Sequence, residues 1–443
     1  MSMKSQQFSK LIMDTPLIVD DVVLDYAING VIDYFASSLP ATNQHDIEQL
    51  KKAILQEQGI QTSWLIGHKV YVTSKQAALC NGFQAHLLDN DDVHELVRGH
   101  PSAVILSALF ASIDITQHQF IDSRRFLTAY IIGVEVMACL GKAVNPTLYL
   151  KGWHATATLG GIASVAAICY LHQYPFLEQA FMLAATQASG LRLVFGSSVK
   201  ALHAGIAAQQ AIQSIEWLKL GLNVTGDFLD QAVGFLTIFA NSEAILDLSN
   251  WGQKWQISEL WFKNYSYCSA ASSIADATDS LVSSHTLDLA QIQYIKVTIN
   301  PNADSALIYK YPQTSLQGRF SAEYIVAKIL AKESLSFDAF NTELIHSDTV
   351  QLMQKITREY IEDKVFPRYA KIEIGFMDGK CLESRVNYPK GSPMNPYSSD
   401  ELEQKLVTAL QNQELSMAFI RDIRQFFHPI NLVNFIQTYS EKI

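Results

Sequence analysis

The sequence predicts a mostly α-helical protein with a smaller α+β second domain, and three observations point to that class. From Val22 to about Leu260 the apolar residues recur at three-and-four spacing or fill whole segments, with almost no strand-like alternation. After Asp288 the period changes, because Ile295, Val297 and Ile299 alternate with polar neighbours. Beyond Pro396 helical spacing returns. A chain of 443 residues, 49% apolar and 17% charged, has the length and composition of two or three packed domains rather than of a disordered chain.

Along the helical block, Ala155 to Ala167 and Gly205 to Ala211 are crowded with Ala, Gly and Ser. Small residues at helical spacing let axes approach closely, which predicts central helices wrapped by others. The alternating run through Ile299 stops at Asn300-Pro301, as a strand does, and helices are predicted from Phe320 to about Glu333 and from Asp348 to Asp363. Ile372 and Ile374, the Asp378-Gly379 turn and a return through Leu382 to Val386 predict a hairpin. Gly391 to Pro396 is rich in breakers, and Ser398 or Ser399 with Glu401 caps a last helical stretch. The expected division is a discontinuous helical domain, 1–268 with 395–443, and an α+β domain, 269–394.

Thirty-three Lys and Arg against 43 Asp and Glu give a formal charge of -10, which argues against a nucleic-acid partner. A small anion can still be held by a few concentrated cations. The longest apolar stretches, Ala103 to Ile115 and Leu159 to Leu171, fall short of the ~20 residues that span a membrane, so no membrane partner is expected. Cys80, Cys139, Cys169, Cys268 and Cys381 show no metal-binding spacing and read as thiols of a reducing compartment. With no export signal visible in the polar N-terminus, a cytoplasmic location is expected.

The densest polar cluster in apolar surroundings runs from His86 through Asp89, Asp91, Asp92, His94, Glu95 and Arg98 to His100-Pro101-Ser102. Pro101 opens a very apolar helix, so His100 stands at the mouth of a buried element and is the first catalytic candidate; the bland alternative is a polar surface loop. His154 likewise precedes a Gly/Ala-rich helix, where a capping role is the competing explanation. Lys200 and His203 share a helical face beside small residues. A buried Lys without a carboxylate is costly, so a bound anion is the expected compensation, unless Lys200 snorkels to solvent.

Ala85-His86, Leu88-Asp89-x-Asp91-Asp92, His100-Pro101-Ser102, Gly152-Trp153-His154-x-Thr156-Ala157 and Lys200 with Leu202-His203-Ala204-Gly205 resemble the successive signatures of the MmgE/PrpD family. That family includes 2-methylcitrate dehydratase, cis-aconitate decarboxylase and iminodisuccinate epimerase. Gln187-Ala188-Ser189-Gly190-Leu191, Gly234-Phe235, Gly318-Arg319-Phe320-Ser321 and Gly391-x-Pro393-x-Asn395-Pro396 extend the similarity over most of the chain from about residue 20. The resemblance implies an all-helical domain plus a smaller α+β lid domain, a homodimer, and a site between the domains that uses neither cofactor nor metal. Its active-site positions fall on Asp89, His100, His154 and Lys200, with Lys263 as a further basic contact. Two departures stand out. The segment after Lys263 reads Asn264-Tyr265-Ser266-Tyr267-Cys268 instead of Lys-x-Tyr-Pro, and the lid tyrosine of the decarboxylases has only Tyr309 nearby, alignment on Pro312 placing Ala306 there.

Dehydration, decarboxylation and epimerisation of such substrates all build electron density beside a carboxylate. The expected activity is therefore that of a lyase on a small di- or tricarboxylate. Lys200 and Lys263 would clamp carboxylates, His203 and Tyr309 would add substrate contacts, His100 and His154 would move protons, and Asp89 would orient an imidazole. The alternatives are an iminodisuccinate-type epimerase, a metal-dependent prenyl-diphosphate enzyme suggested by Asp89-x-Asp91-Asp92, and a helical scaffold without catalysis.

Overall fold

The computed structural model describes residues 4–117, 119–263, 265–340 and 345–443. Ala155–His172 is the central helix: every residue from Ala155 to Leu171 is buried, as a segment apolar on all sides requires. Around it pack the helices Pro101–Ala111, Ser123–Val144, Leu177–Thr186 and Val199–Lys219, and the last of these lies against Ser74–Leu87. Small residues set that last approach. A Cβ on Gly205 would stand 2.1 Å from the Leu79 carbonyl oxygen, and one on Gly82 would stand 2.7 Å from the Gly205 Cα.

Ser123–Val144 and Ala155–His172 are each long and apolar enough to cross a membrane, longer than the apolar stretches in the sequence suggest, because both run on through polar residues. Their most apolar windows are 83% and 94% buried inside the protein, so the core occupies these faces.

Two corrections concern strands. The helical block contains a hairpin, Ser63–Leu65 with Val70–Val72, and a two-residue pairing of Val93–His94 with Leu260–Trp261. Strands of two or three residues are too short to register as alternation. In the α+β unit the helix expected from Asp348 to Asp363 stops at Gln354, and Ile356–Tyr360 becomes an edge strand. Only Ile356 of that strand is buried, so no alternation announced it. It runs parallel to the central strand Ile292–Ile299, which pairs on its other side with Ala370–Phe376, followed by Cys381–Val386 across the Asp378-Gly379 turn. Helices Ser272–Ser284 and Ala322–Leu330 share the core of this sheet.

After Pro396 the chain re-enters the helical core. Ser398 caps Ser399–Leu410 in a capping box with Glu401, and Leu402, Leu406, Phe419, Phe426, Phe435 and Tyr439 belong to the same apolar cluster as Phe35 and Phe110. Lys405 donates to Asp33 Oδ1 at 2.6 Å and to the Asn90 carbonyl at 2.8 Å. On this packing we propose the discontinuous division, 1–268 with 395–443 enclosing 269–394.

Gly205→Ala should cost about 1–3 kcal/mol, the usual range for overpacking, because a backbone carbonyl stands where the methyl must go. Gly161→Ala, whose methyl would lie 3.3 Å from the Ala207 carbonyl, should cost less. Chemical denaturation of both variants checks the order.

Candidate active site

The loop between Ser74–Leu87 and Pro101–Ala111 gathers the polar side chains. It starts with Asp89 in the left-handed region, φ 52°, a conformation a non-glycine residue holds only where its surroundings enforce it. Two ammonium groups do so. Lys200 Nζ donates to Asp89 Oδ2 at 2.8 Å and Lys263 Nζ to Asp89 Oδ1 at 2.7 Å, while Lys263 also donates to the Asp89 carbonyl. All three side chains are buried. Burial alone would raise the Asp89 carboxyl, but Lys200 and Lys263 outweigh it and hold it well below the usual range. Burial likewise opposes the charge on Lys263, and Asp89 with Asp91 keeps its ammonium above the ordinary value.

This triad corrects two expectations. Lys200 is compensated by a carboxylate of the chain itself, and Asp89 pairs with ammonium groups rather than orienting an imidazole. Two cations against one anion leave the group with a net charge of +1.

Asp91 and Asp92 take the orienting role. His100 precedes Pro101 at the helix start, and its Nδ1 lies 2.7 Å from the Asp92 carbonyl oxygen and 3.3 Å from Asp91 Oδ2. A carbonyl only accepts, so Nδ1 carries the proton and Nε2 is left as the basic nitrogen, 3.8 Å from Asp89 Oδ1. Asp91 also accepts from His86 Nδ1 at 2.9 Å, and the His86 and His100 rings lie 4.2 Å apart. Burial holds the His100 imidazole below its ordinary value, with Asp91 opposing, and pushes His86 down to about 3. Asp92 accepts from the backbone N–H and hydroxyl of Ser102, supplying the helix cap that His100 does not.

His154 starts the central helix, and its ring lies 6.0 Å from that of His86. Its Nδ1 faces His203 Nδ1 at 3.1 Å, so one of the two nitrogens donates and the other accepts. Burial first, and then Lys200, keep His154 well below the ordinary value and therefore neutral near pH 7.

A cavity of about 480 Å³ opens beside these groups, with His100, His154, Lys200 and Cys268 in its wall and Asn300 and Ala306 lining it from the α+β side. Lys263 and His203 stand behind that wall, bonded to Asp89 and His154. Tyr309 does not line the cavity. Its hydroxyl donates to the Phe195 carbonyl at 3.0 Å, and Ala306 takes the lining position. Of the divergent segment after Lys263, Asn264 lies outside the described residues, and Tyr267 accepts from Lys263 through its carbonyl at 3.5 Å.

His86, Asp89, Asp91 and His100 bring potential metal ligands within 4.8 Å of one another. The carboxylates are committed: both Asp89 oxygens accept from ammonium groups, and Asp91 accepts from His86 Nδ1 with His100 Nδ1 3.3 Å away. A divalent cation there would meet Lys200 and Lys263 across Asp89, so the residues fit an anion-binding centre better than a metal centre.

A model of the MmgE/PrpD N-terminal domain matches residues 6–245, and one of the MmgE/PrpD C-terminal domain matches residues 265–414. The chain belongs to the MmgE/PrpD family. Among curated MmgE/PrpD relatives, a cis-aconitate decarboxylase-like protein of Aspergillus oryzae is 26% identical over 411 residues, covering 86% of this chain and 85% of its own. The cis-aconitate decarboxylases of Aspergillus terreus and Homo sapiens are each 24% identical, over 74% of this chain and 73% and 71% of theirs. In this MmgE/PrpD chain, the roles of His86 and Asp91 escape sequence reasoning. A Leu-Leu-Asp-Asn-Asp-Asp run shows a polar cluster but not which oxygen meets which imidazole.

Asp89→Asn should destabilise the protein by about 3–5 kcal/mol, the usual cost of stranding a buried charge. Adding Lys200→Met should recover part of the loss. Urea unfolding of the single and double variants reads both effects.

Proposed function

We propose that this chain is a cofactor-independent lyase acting on a small di- or tricarboxylate. The observation that carries the reading is a cavity that sets Lys200, from a triad of net charge +1, beside two imidazoles held neutral, one with its basic nitrogen fixed by geometry. The cis-aconitate decarboxylases among its relatives support the reaction class.

In this reading the triad and the starts of the Pro101–Ala111 and Ala155–His172 helices stabilise negative charge that develops beside a substrate carboxylate. His100 Nε2 takes or returns the proton at the adjacent carbon. His154, with His203 settling which of its nitrogens is protonated, serves the opposite step. For elimination, the C–H bond breaks to His100, its electron pair forms the double bond, and the hydroxyl leaves as water with the proton of His154 Nε2, while His154 Nδ1 takes one from His203 Nδ1 and solvent restores His203. For decarboxylation, carbon dioxide departs and the electron pair left on carbon takes the His154 proton, replaced through His203 from solvent in the same way. Ala306, in the place expected for a lid tyrosine hydroxyl, removes one proton donor and favours a second reading, the dehydratase chemistry. A cytoplasmic homodimer belongs to the same proposal, on the family resemblance and on five cysteines that all stand as free thiols.

Proton NMR in deuterated water with cis-aconitate, 2-methylcitrate, citrate and racemic iminodisuccinate tests the proposal. Loss of carbon dioxide or water from one of them is the expected result. Deuterium exchange without elimination would favour an epimerase, and no turnover of any would favour a scaffold.

His100→Gln and His154→Gln should each lower kcat by at least ~100-fold, the low end of what general acid–base catalysis contributes. A neutral base works above its pKa, and both imidazoles lie below their ordinary value. The acid limb of kcat/KM should therefore fall below about pH 6.5, and a pH–rate profile that turns down already above pH 7 would remove His100 as the base.

A further inference from the structure

Four cationic side chains line the cavity, and three are accounted for. Lys200 is paired with Asp89. Arg368 grips Glu95 with two bonds, Nε to Oε2 at 2.9 Å and Nη2 to Oε1 at 2.9 Å. Lys364 is exposed to water. Arg98 is different: it is half-buried, and among the described residues no carboxylate lies within ion-pair distance of its guanidinium. Its one aromatic contact is the Tyr149 ring, 5.5 Å from Cζ.

The backbone fixes where Arg98 stands. Its φ is 54°, again left-handed for a residue with a side chain. The turn closes through Arg98 N to the His94 carbonyl at 2.9 Å and His94 N to the Gly99 carbonyl at 3.0 Å. Asn145 Nδ2 holds the Leu96 and Val97 carbonyls, each at 3.0 Å, and His100 N donates to Thr156 Oγ1 at 3.1 Å. Tyr149, on which the guanidinium rests, is itself stacked by Arg192 at 3.5 Å. A rigid turn thus holds a cation two residues before His100, on the wall that His100 shares. A guanidinium presents five N–H donors in a fork that matches a carboxylate, and one left without an acceptor at a cavity wall is poised for an anion.

We propose that Arg98 is a specificity-determining residue that binds an outer carboxylate of the substrate, remote from the one beside Lys200, and so selects tricarboxylates over dicarboxylates. The proposal rests on the carboxylate-lyase reading for its ligand class. Its test uses unreactive ligands, so that binding is judged apart from turnover.

Calorimetric titration of the wild type, Arg98→Met and Arg98→Lys with propane-1,2,3-tricarboxylate and with pentanedioate separates the possibilities. The wild type should prefer the tricarboxylate by ~10-fold or more, the usual worth of a hydrogen bond to a charged group. Arg98→Met should lose that preference while binding pentanedioate as before. Arg98→Lys, which keeps the charge and loses the fork, should retain part of it. If Arg98→Met melts below the wild type, the lysine variant decides, and wild-type preference in it overturns the proposal. Unchanged preference in Arg98→Met, or equal loss of both ligands, overturns it too. A wild type that binds neither ligand removes the carboxylate pocket itself. Lost preference in Arg98→Met alongside a negative NMR screen would sink the lyase reading alone.

Discussion

One carboxylate, Asp89, holds the site together. It reaches Lys200, 111 positions on, and Lys263, 174 positions on, and all three are buried. Desolvating three charges is expensive, and their attraction offsets the cost only when the geometry is good and the remaining donors are satisfied. The left-handed backbone at Asp89 and the extra bond from Lys263 to its carbonyl meet that demand. The loop beyond Asp89, which carries Asp91, Asp92 and His100, starts from this fixed point.

From there the three aspartates divide the work. Asp89 faces ammonium groups, Asp91 faces imidazoles, and Asp92 faces the helix start at Ser102. The consequence is electrostatic separation within a few ångströms. Positive charge is held at the lysines, while burial keeps the imidazoles uncharged. A pocket that must stabilise an anion and also abstract a proton needs both conditions at once.

Sequence periodicity exposed the parts of this arrangement that depend on position along a helix. His100 and His154 stand out because each directly precedes a helix apolar enough to be central, and the crowding of small residues marked where helices would touch. Pairing across the fold left no such trace. Lys200 read as a cation in search of an anion, because nothing in a linear pattern says that Asp89 returns to the same helix end. Asp89 likewise reads as the partner of an imidazole, a role that falls to Asp91. The strand Ile356–Tyr360 was hidden because an edge strand with one buried residue has no period to detect. Arg98 stands in the polar cluster of the sequence without a role of its own, since a surface arginine and one facing a cavity are the same letter.

The bond from Lys405 to the Asn90 carbonyl joins residues 315 positions apart. Chains are made from the N-terminus onward, so the aspartate loop leaves the ribosome long before its support. A nascent chain can bury its first helices while the loop between Asp89 and His100 still lacks one of its props. The aspartate loop is therefore fully braced only once Lys405 has been made and has folded back.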